Sequence, residues 1–159
     1  MKSSVSIVRV LALCSLFVLL LAGCKKEPET LISDQPTPNW TAPEQYDMTS
    51  SMTAVVRVDL TRTYPSQVKE AESAINEGDL LAAFIGEECV GVTKPAEGNL
   101  FYLYISGPKS GSDDAQVTLR YYSALLKNTF AAKQTIPYVN DAHHGSVTEP
   151  LTPDFFVAK

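Results

Sequence analysis

Reactive side chains are few and scattered. The two histidines, His143 and His144, are adjacent. Neighbours on a strand point to opposite faces, so this pair would not offer two ligands to one metal there. They read as loop residues flanking Gly145. Cys89 has no histidine near it in sequence, which suits a small buried hydrophobe better than a nucleophile. No pair of carboxylates stands out for acid–base work. The stretch 107–111 is too short for a phosphate cradle and no helix follows it. Asp113 and Asp114 could donate to calcium, but that ion wants about six to eight oxygens. A solvated turn is the simpler reading. The expectation is no catalytic set, no metal and no cofactor.

Aromatic residues offer a different chemistry. In 100–106, alternation puts Phe101, Leu103 and Ile105 on one face and Tyr102 and Tyr104 on the other. In 116–123, Val117, Leu119 and Tyr121 share one face, with Arg120 and Tyr122 opposite. If the aliphatic faces turn inward and these strands pair, Tyr102, Tyr104, Arg120 and Tyr122 make an outward strip. Exposed tyrosine beside a cation suits sugar rings or a peptide, since it offers flat apolar area with polar edges. Alternatively the strip is a second side of the core, covered by the Trp40 segment or by residues 66–77. Trp40 joins the candidates as a ligand platform or as a lid over the end of the core.

The elements that must position these residues are strands. Met48, Met52, Ala54, Val56, Val58 and Leu60 fall on alternate positions, with Thr49, Ser51, Thr53, Arg57 and Asp59 between them and Val55 the one mismatch, the signature of a strand with one wet face. Further strands are expected at 80–85, 89–93, 100–106 and 116–123, with shorter ones at 128–132, 135–139, 145–147 and 155–158. Turn residues between them, such as 86–88, suggest hairpins. Residues 66–77, after Pro65, form the single helix candidate, against an irregular loop. Short, regularly spaced strands predict an all-β fold: one antiparallel β-sandwich, immunoglobulin-like or jelly-roll-like, with at most that one short helix.

Composition sets the limits. The chain has 159 residues, 45% hydrophobic and 19% charged, which is globular and fits one domain plus a tether. A net charge of -5 argues against nucleic acid, which needs a basic footprint. The amino terminus begins with Lys2 and Arg9 and then runs apolar from Val10 to Ala22. That stretch is too short to span a bilayer, which takes about 20 residues, but it has the length of a signal-peptide core.

Leu21-Ala22-Gly23-Cys24 closes the stretch and resembles the lipobox of bacterial lipoproteins. The resemblance implies cleavage before Cys24, a diacylglyceryl group on its sulfur and a further acyl chain, such as palmitate, on its new amine. Several acyl chains make a stable membrane anchor where one does not. Lys25, rather than an aspartate, follows Cys24, which by the same resemblance implies the outer membrane. The run 25–29 is similar to the charged stretch of surface-exported lipoproteins in Bacteroidetes, so surface display is put ahead of the periplasmic face. Loss of residues 1–23 leaves 11 of the 13 basic residues against 18 acidic ones, a net charge of -7. It also leaves Cys89 beside an acylated Cys24, so no internal disulfide is expected.

Residues 24–39 then read as a lipidated cysteine and flexible tether. Three prolines and five charges stand there against only Leu31 and Ile32. Residues 40–159 read as the sandwich domain. Within it, Gly78-Asp79-Leu80-Leu81-Ala82-Ala83-Phe84 and Cys89-Val90-Gly91 resemble a segment of small β-sandwich domains in secreted and surface proteins of Bacteroidetes. The residues alone suggest that Asp79 accepts turn amides and that Gly91 marks a bulge or a close backbone approach. The resemblance implies an extracellular binding or adhesion role without catalysis. Glycan or a surface protein is the expected partner. The alternative is a structural or assembly subunit of an envelope complex.

Overall fold

A computed structural model describes residues 30–43, 50–69, 75–108 and 114–158. The expected signal peptide and Cys24 lie outside these residues, as do Asp113 and the middle of the 66–77 helix candidate.

Among the described residues, nine strands form two sheets. They are β1 (Ser51–Arg57), β2 (Leu80–Ile85), β3 (Glu88–Thr93), β4 (Leu100–Ser106), β5 (Gln116–Ser123), β6 (Asn128–Ala132), β7 (Ile136–Pro137), β8 (His143–His144) and β9 (Phe155–Val157). The small sheet has the order β4-β1-β8, and the large one β3-β2-β5-β6-β9 with β7 also on β5. All ladders are antiparallel except β1 with β8. The chain is all-β, a two-layer sandwich. Its helical content among the described residues is two single 3-10 turns, Leu60–Arg62 and Glu97–Asn99. No helix among the described residues is long and apolar enough to cross a membrane.

The period-2 pattern explains the layers. Met52, Ala54 and Val56 of β1 and Phe101, Leu103 and Ile105 of β4 turn inward and are buried. They meet Leu81 and Ala83 of β2, Val117, Leu119 and Tyr121 of β5, and Phe130 and Phe155. Phe101, Phe130 and Phe155 have no exposed surface; each contributes about 1.5–3 kcal/mol by leaving water.

Asp79 fixes the entry to β2. It is fully buried, yet its carboxylate accepts three hydrogen bonds: from the Asn76 amide at 2.9 Å, the Ala124 amide at 2.7 Å and the Tyr121 hydroxyl at 2.7 Å. Burial, and then the Asp79 charge, push the Tyr121 phenol far above its ordinary range. Gly91 fixes the seam between the sheets. A Cβ there would lie 2.4 Å from the Tyr104 carbonyl oxygen, so only glycine lets β3 approach β4 this closely. The β2–β3 register also shifts beside it, between Ala83 and Phe84.

Register defines the two ends of the sandwich. One end, the near end, holds Arg57 opposite Leu100, Leu81 opposite Thr93, and Ser123 opposite Asn128. The far end holds Ser51 opposite Ser106 and the Gly86–Glu87 turn that follows Ile85.

Two expectations are corrected. His143 and His144 form β8 rather than a loop, because the edge of β1 offers unpaired backbone groups. Thr53 donates to the Ala142 carbonyl at 3.0 Å, and Thr53 and Ala54 stand in register with the two histidines. The strand expected at 145–147 is instead an outward turn. Gly145 enters it at φ 72°, and Ser146 donates to the Glu149 carbonyl at 3.0 Å. The chain rejoins β1 at Leu151, whose amide reaches the Val55 carbonyl at 2.9 Å.

Residues 30–40 are docked, although composition assigned them to the tether as far as Asn39. Leu31 is buried in the core cluster. Ser33 donates to the Leu126 carbonyl at 3.0 Å and Gln35 to the Lys127 carbonyl at 3.1 Å. The Asn128 amide donates to the Leu31 carbonyl at 2.9 Å and the Thr30 carbonyl at 3.3 Å. One well-placed leucine and a set of backbone bonds offset the ordering entropy that three prolines and five charges suggested would win.

Candidate binding surface

The sequence-derived strip divides between opposite faces. β4 belongs to the small sheet and β5 to the large one, so the pairing the strip required does not exist. Tyr102 and Tyr104 stay together, and Arg120 and Tyr122 lie on the other side of the molecule.

On the small sheet, alternation puts Tyr102 and Tyr104 outward, 47% and 37% exposed. Tyr104 stands opposite Thr53 and Tyr102 opposite Val55. Thr53 meets His143 on its other side, with 2.6 Å between Thr53 Oγ1 and His143 Nδ1. One row across the sheet is therefore Tyr104, Thr53 and His143, and the next is Tyr102 and Val55. Arg57, exposed, follows along β1. The face carries aromatic rings, hydroxyls and an imidazole. His144 points the other way, and its Nε2 is shut off from water without a partner. Sequence reasoning missed His143 and Thr53 as neighbours of the tyrosines. The wet face of β1 was legible; the parallel pairing of two residues some ninety positions apart was not.

On the large sheet, the same alternation turns Phe84, Arg120 and Tyr122 outward, but residues 30–40 lie over them. Tyr122 is 3% exposed, and its hydroxyl donates to the Gln35 carbonyl at 3.1 Å. Trp40 meets Phe84 edge-on, with ring centroids 5.9 Å apart at 81°. The Arg120 guanidinium sits 4.3 Å from the Phe84 centroid, a cation–π contact, and 3.6 Å from Glu87. Trp40, Arg120 and Tyr122 thus fasten the roof of the large sheet. Trp40 acts as a lid over that face, and Tyr122 is removed from any ligand surface.

Cys89 lies half-buried beside this roof, with its sulfur 3.6 Å from the Gly91 carbonyl oxygen. Burial pushes its thiol up, against the opposing pull of the Gly91 backbone and Arg120. It is therefore a protonated, weakly nucleophilic thiol at neutral pH. Among the described residues, no three His, Cys, Asp or Glu side chains converge on a metal-sized site. A polar cavity of about 540 Å³ opens at the near end between residues 75–77 and 94–99, away from both exposed tyrosines.

The chain matches no family model, no curated protein and no solved structure.

Proposed function

We propose that this protein is a lipid-anchored binding protein of the bacterial outer membrane, displayed at the surface, that recognises glycan on the outer face of its small sheet without catalysis. The observation that carries the reading is the pair Tyr102 and Tyr104. Two rings at i and i+2 stand in solvent on a face that no described segment covers, while the equivalent residues of the large sheet are roofed. Tyrosine loses little rotamer entropy on binding, and it stacks on a sugar's C–H face while its hydroxyl reaches the sugar's edge. Thr53 and His143 add polar groups beside the rings. The lipobox 21–24 supports the anchor.

Polysaccharide pull-down tests the binding. The chain is expected to retain a cell-surface polysaccharide, and Tyr102→Ala with Tyr104→Ala is expected to abolish retention. Equal retention by the double variant would sink this assignment. The anchor has a separate test. Cys24→Ser should leave the protein unprocessed or soluble, and continued membrane attachment would contradict lipidation.

An assembly role is the second reading. Val147, 56% exposed on the turn after β8, leaves a further apolar side chain in solvent at the opposite edge of the small sheet from the tyrosines, as a protein interface would. Co-purification with one stoichiometric partner, lost in the same double variant, would favour it.

A further inference from the structure

We infer that the near end of the sandwich is a lipid-facing surface, which rests on the membrane through Ile32 and Leu125 and holds both sheets upright. The inference rests on the lipid anchor proposed at Cys24, and it adds an orientation and a second contact to that anchor.

The length of the leash comes first. Thr30 and Leu31 are pinned by the Asn128 side chain, so the stretch between lipid and folded domain runs only from Cys24 to Thr30. Fully extended, those residues reach about 20 Å. A tether running to Asn39 would have let the domain tumble. A leash ending at Thr30 draws one end of the sandwich toward the headgroups.

That end has a suitable surface. Ile32 is 68% exposed and Leu125 49%, two of the large aliphatic side chains left in water. Each is next in sequence to one partner of a backbone bond, from the amide of Ser33 to the carbonyl of Leu126. A shallow groove of about 240 Å³ runs between Ile32, Gln67 and Leu126. Aliphatic tips of this kind enter the headgroup–acyl boundary when an anchor brings them there.

Charge points the same way. Arg57, Lys69, Lys94 and Lys127 are exposed at or beside the near end, with Asp34, Glu77 and Glu97; Arg62 is paired with Asp154 at 3.3 Å, beyond the other end of β6. Glu87, Glu88, Asp114 and Asp141 are exposed toward the far end, with Lys133 the exposed cation past the end of β6. A chain that is acidic overall is thus close to balanced in charge where its leash emerges. Each cation near an anionic lipid surface raises partitioning about fivefold. In this orientation the strands of the small sheet stand perpendicular to the bilayer and its rows run parallel to it, with Tyr102 and Tyr104 facing sideways into solvent.

Depth-dependent quenching tests the orientation. The acylated full-length mature chain, carrying Trp40→Phe, receives one tryptophan at a time as Ile32→Trp, Leu125→Trp or Val139→Trp. It is reconstituted into phosphatidylcholine–phosphatidylglycerol vesicles with brominated acyl chains. All three positions are exposed, and Trp40→Phe keeps an aromatic ring to set against Phe84; far-ultraviolet circular dichroism checks that each variant is folded. Emission from Ile32→Trp and Leu125→Trp should be at least halved, with Val139→Trp, at the far end, unchanged. Protein that floats with the vesicles but shows equal quenching at all three positions, or none at Leu125→Trp, would overturn the orientation and leave the anchor standing. A Leu125→Trp emission shielded from acrylamide yet untouched by bromine would mean that a protein covers this end, and would also overturn it. Failure to float would overturn the anchor and the orientation together.

Discussion

Tyr102 and Tyr104 of the small sheet stand in water, while Tyr122, turned outward by the same alternation on the large sheet, is 3% exposed. The difference comes from a segment remote in sequence. Residues 30–40 cross the large sheet, bury Leu31, accept the Tyr122 hydroxyl and lay Trp40 against Phe84. The small sheet has no such cover among the described residues. Its edge strand β8 and the turn after Gly145 extend beside it rather than over it. Strand periodicity therefore states which side chains leave the core, and the route of the flanking chain states which of them reach solvent.

The contrast can be broken at its roofed side first. Tyr122→Ala should cost about 3–4 kcal/mol, as a buried ring is lost and Gln35 loses its partner. Urea denaturation would read this; a loss below about 1 kcal/mol would mean that the roof contributes little. Leu31→Ala should cost about 2–3 kcal/mol by the same measurement, and proteolysis should then open the chain before Trp40.

Alkaline pH probes the core beneath. Tyr121 and Cys89 are both held protonated in the folded chain. Unfolded, they ionise near their ordinary values of 10.0 and 9.0, so above those values the unfolded state binds fewer protons. Stability is therefore fully present below about pH 9 and falls as pH rises, by about 1.4 kcal/mol per pH unit above pH 10 for Tyr121. Tyr121→Phe should flatten that decline in urea titrations, at the expense of one hydrogen bond to Asp79. Tyr122→Phe, which removes only the bond to Gln35, should cost about 1 kcal/mol. The smallest effect belongs to the bare side. Tyr102→Ala and Tyr104→Ala should each change stability by less than about 0.5 kcal/mol while removing ligand retention.

Much of this was legible in the chain. The strands at 80–85, 100–106, 116–123 and 128–132 follow from alternation and bounding turn residues, and their bounds are those observed. Asp79 and Gly91 announced a turn acceptor and a close approach, and they serve as such. The partition of the tyrosines was not legible. Two amphipathic strands carry no local mark of which sheet they join, so placing β4 with β5 or with β1 is a choice that only long-range packing makes. The docking of residues 30–40 was hidden for a related reason. Composition averages over a segment, whereas one buried leucine, backbone bonds to Leu126 and Lys127 and the Asn128 side chain decide its fate. Parallel pairing of His143 and His144 with β1 has the same character. A two-residue strand leaves no period to detect.

Hydroxyl-radical footprinting of the mature protein, read residue by residue by mass spectrometry with and without the retained polysaccharide, tests the central claim most directly. Tyr102 and Tyr104 should oxidise rapidly in the free protein and be protected when the polysaccharide is added, while Tyr122 stays unreactive throughout. Rapid oxidation of Tyr122, or tyrosines on β4 whose reactivity ignores the polysaccharide, would contradict it.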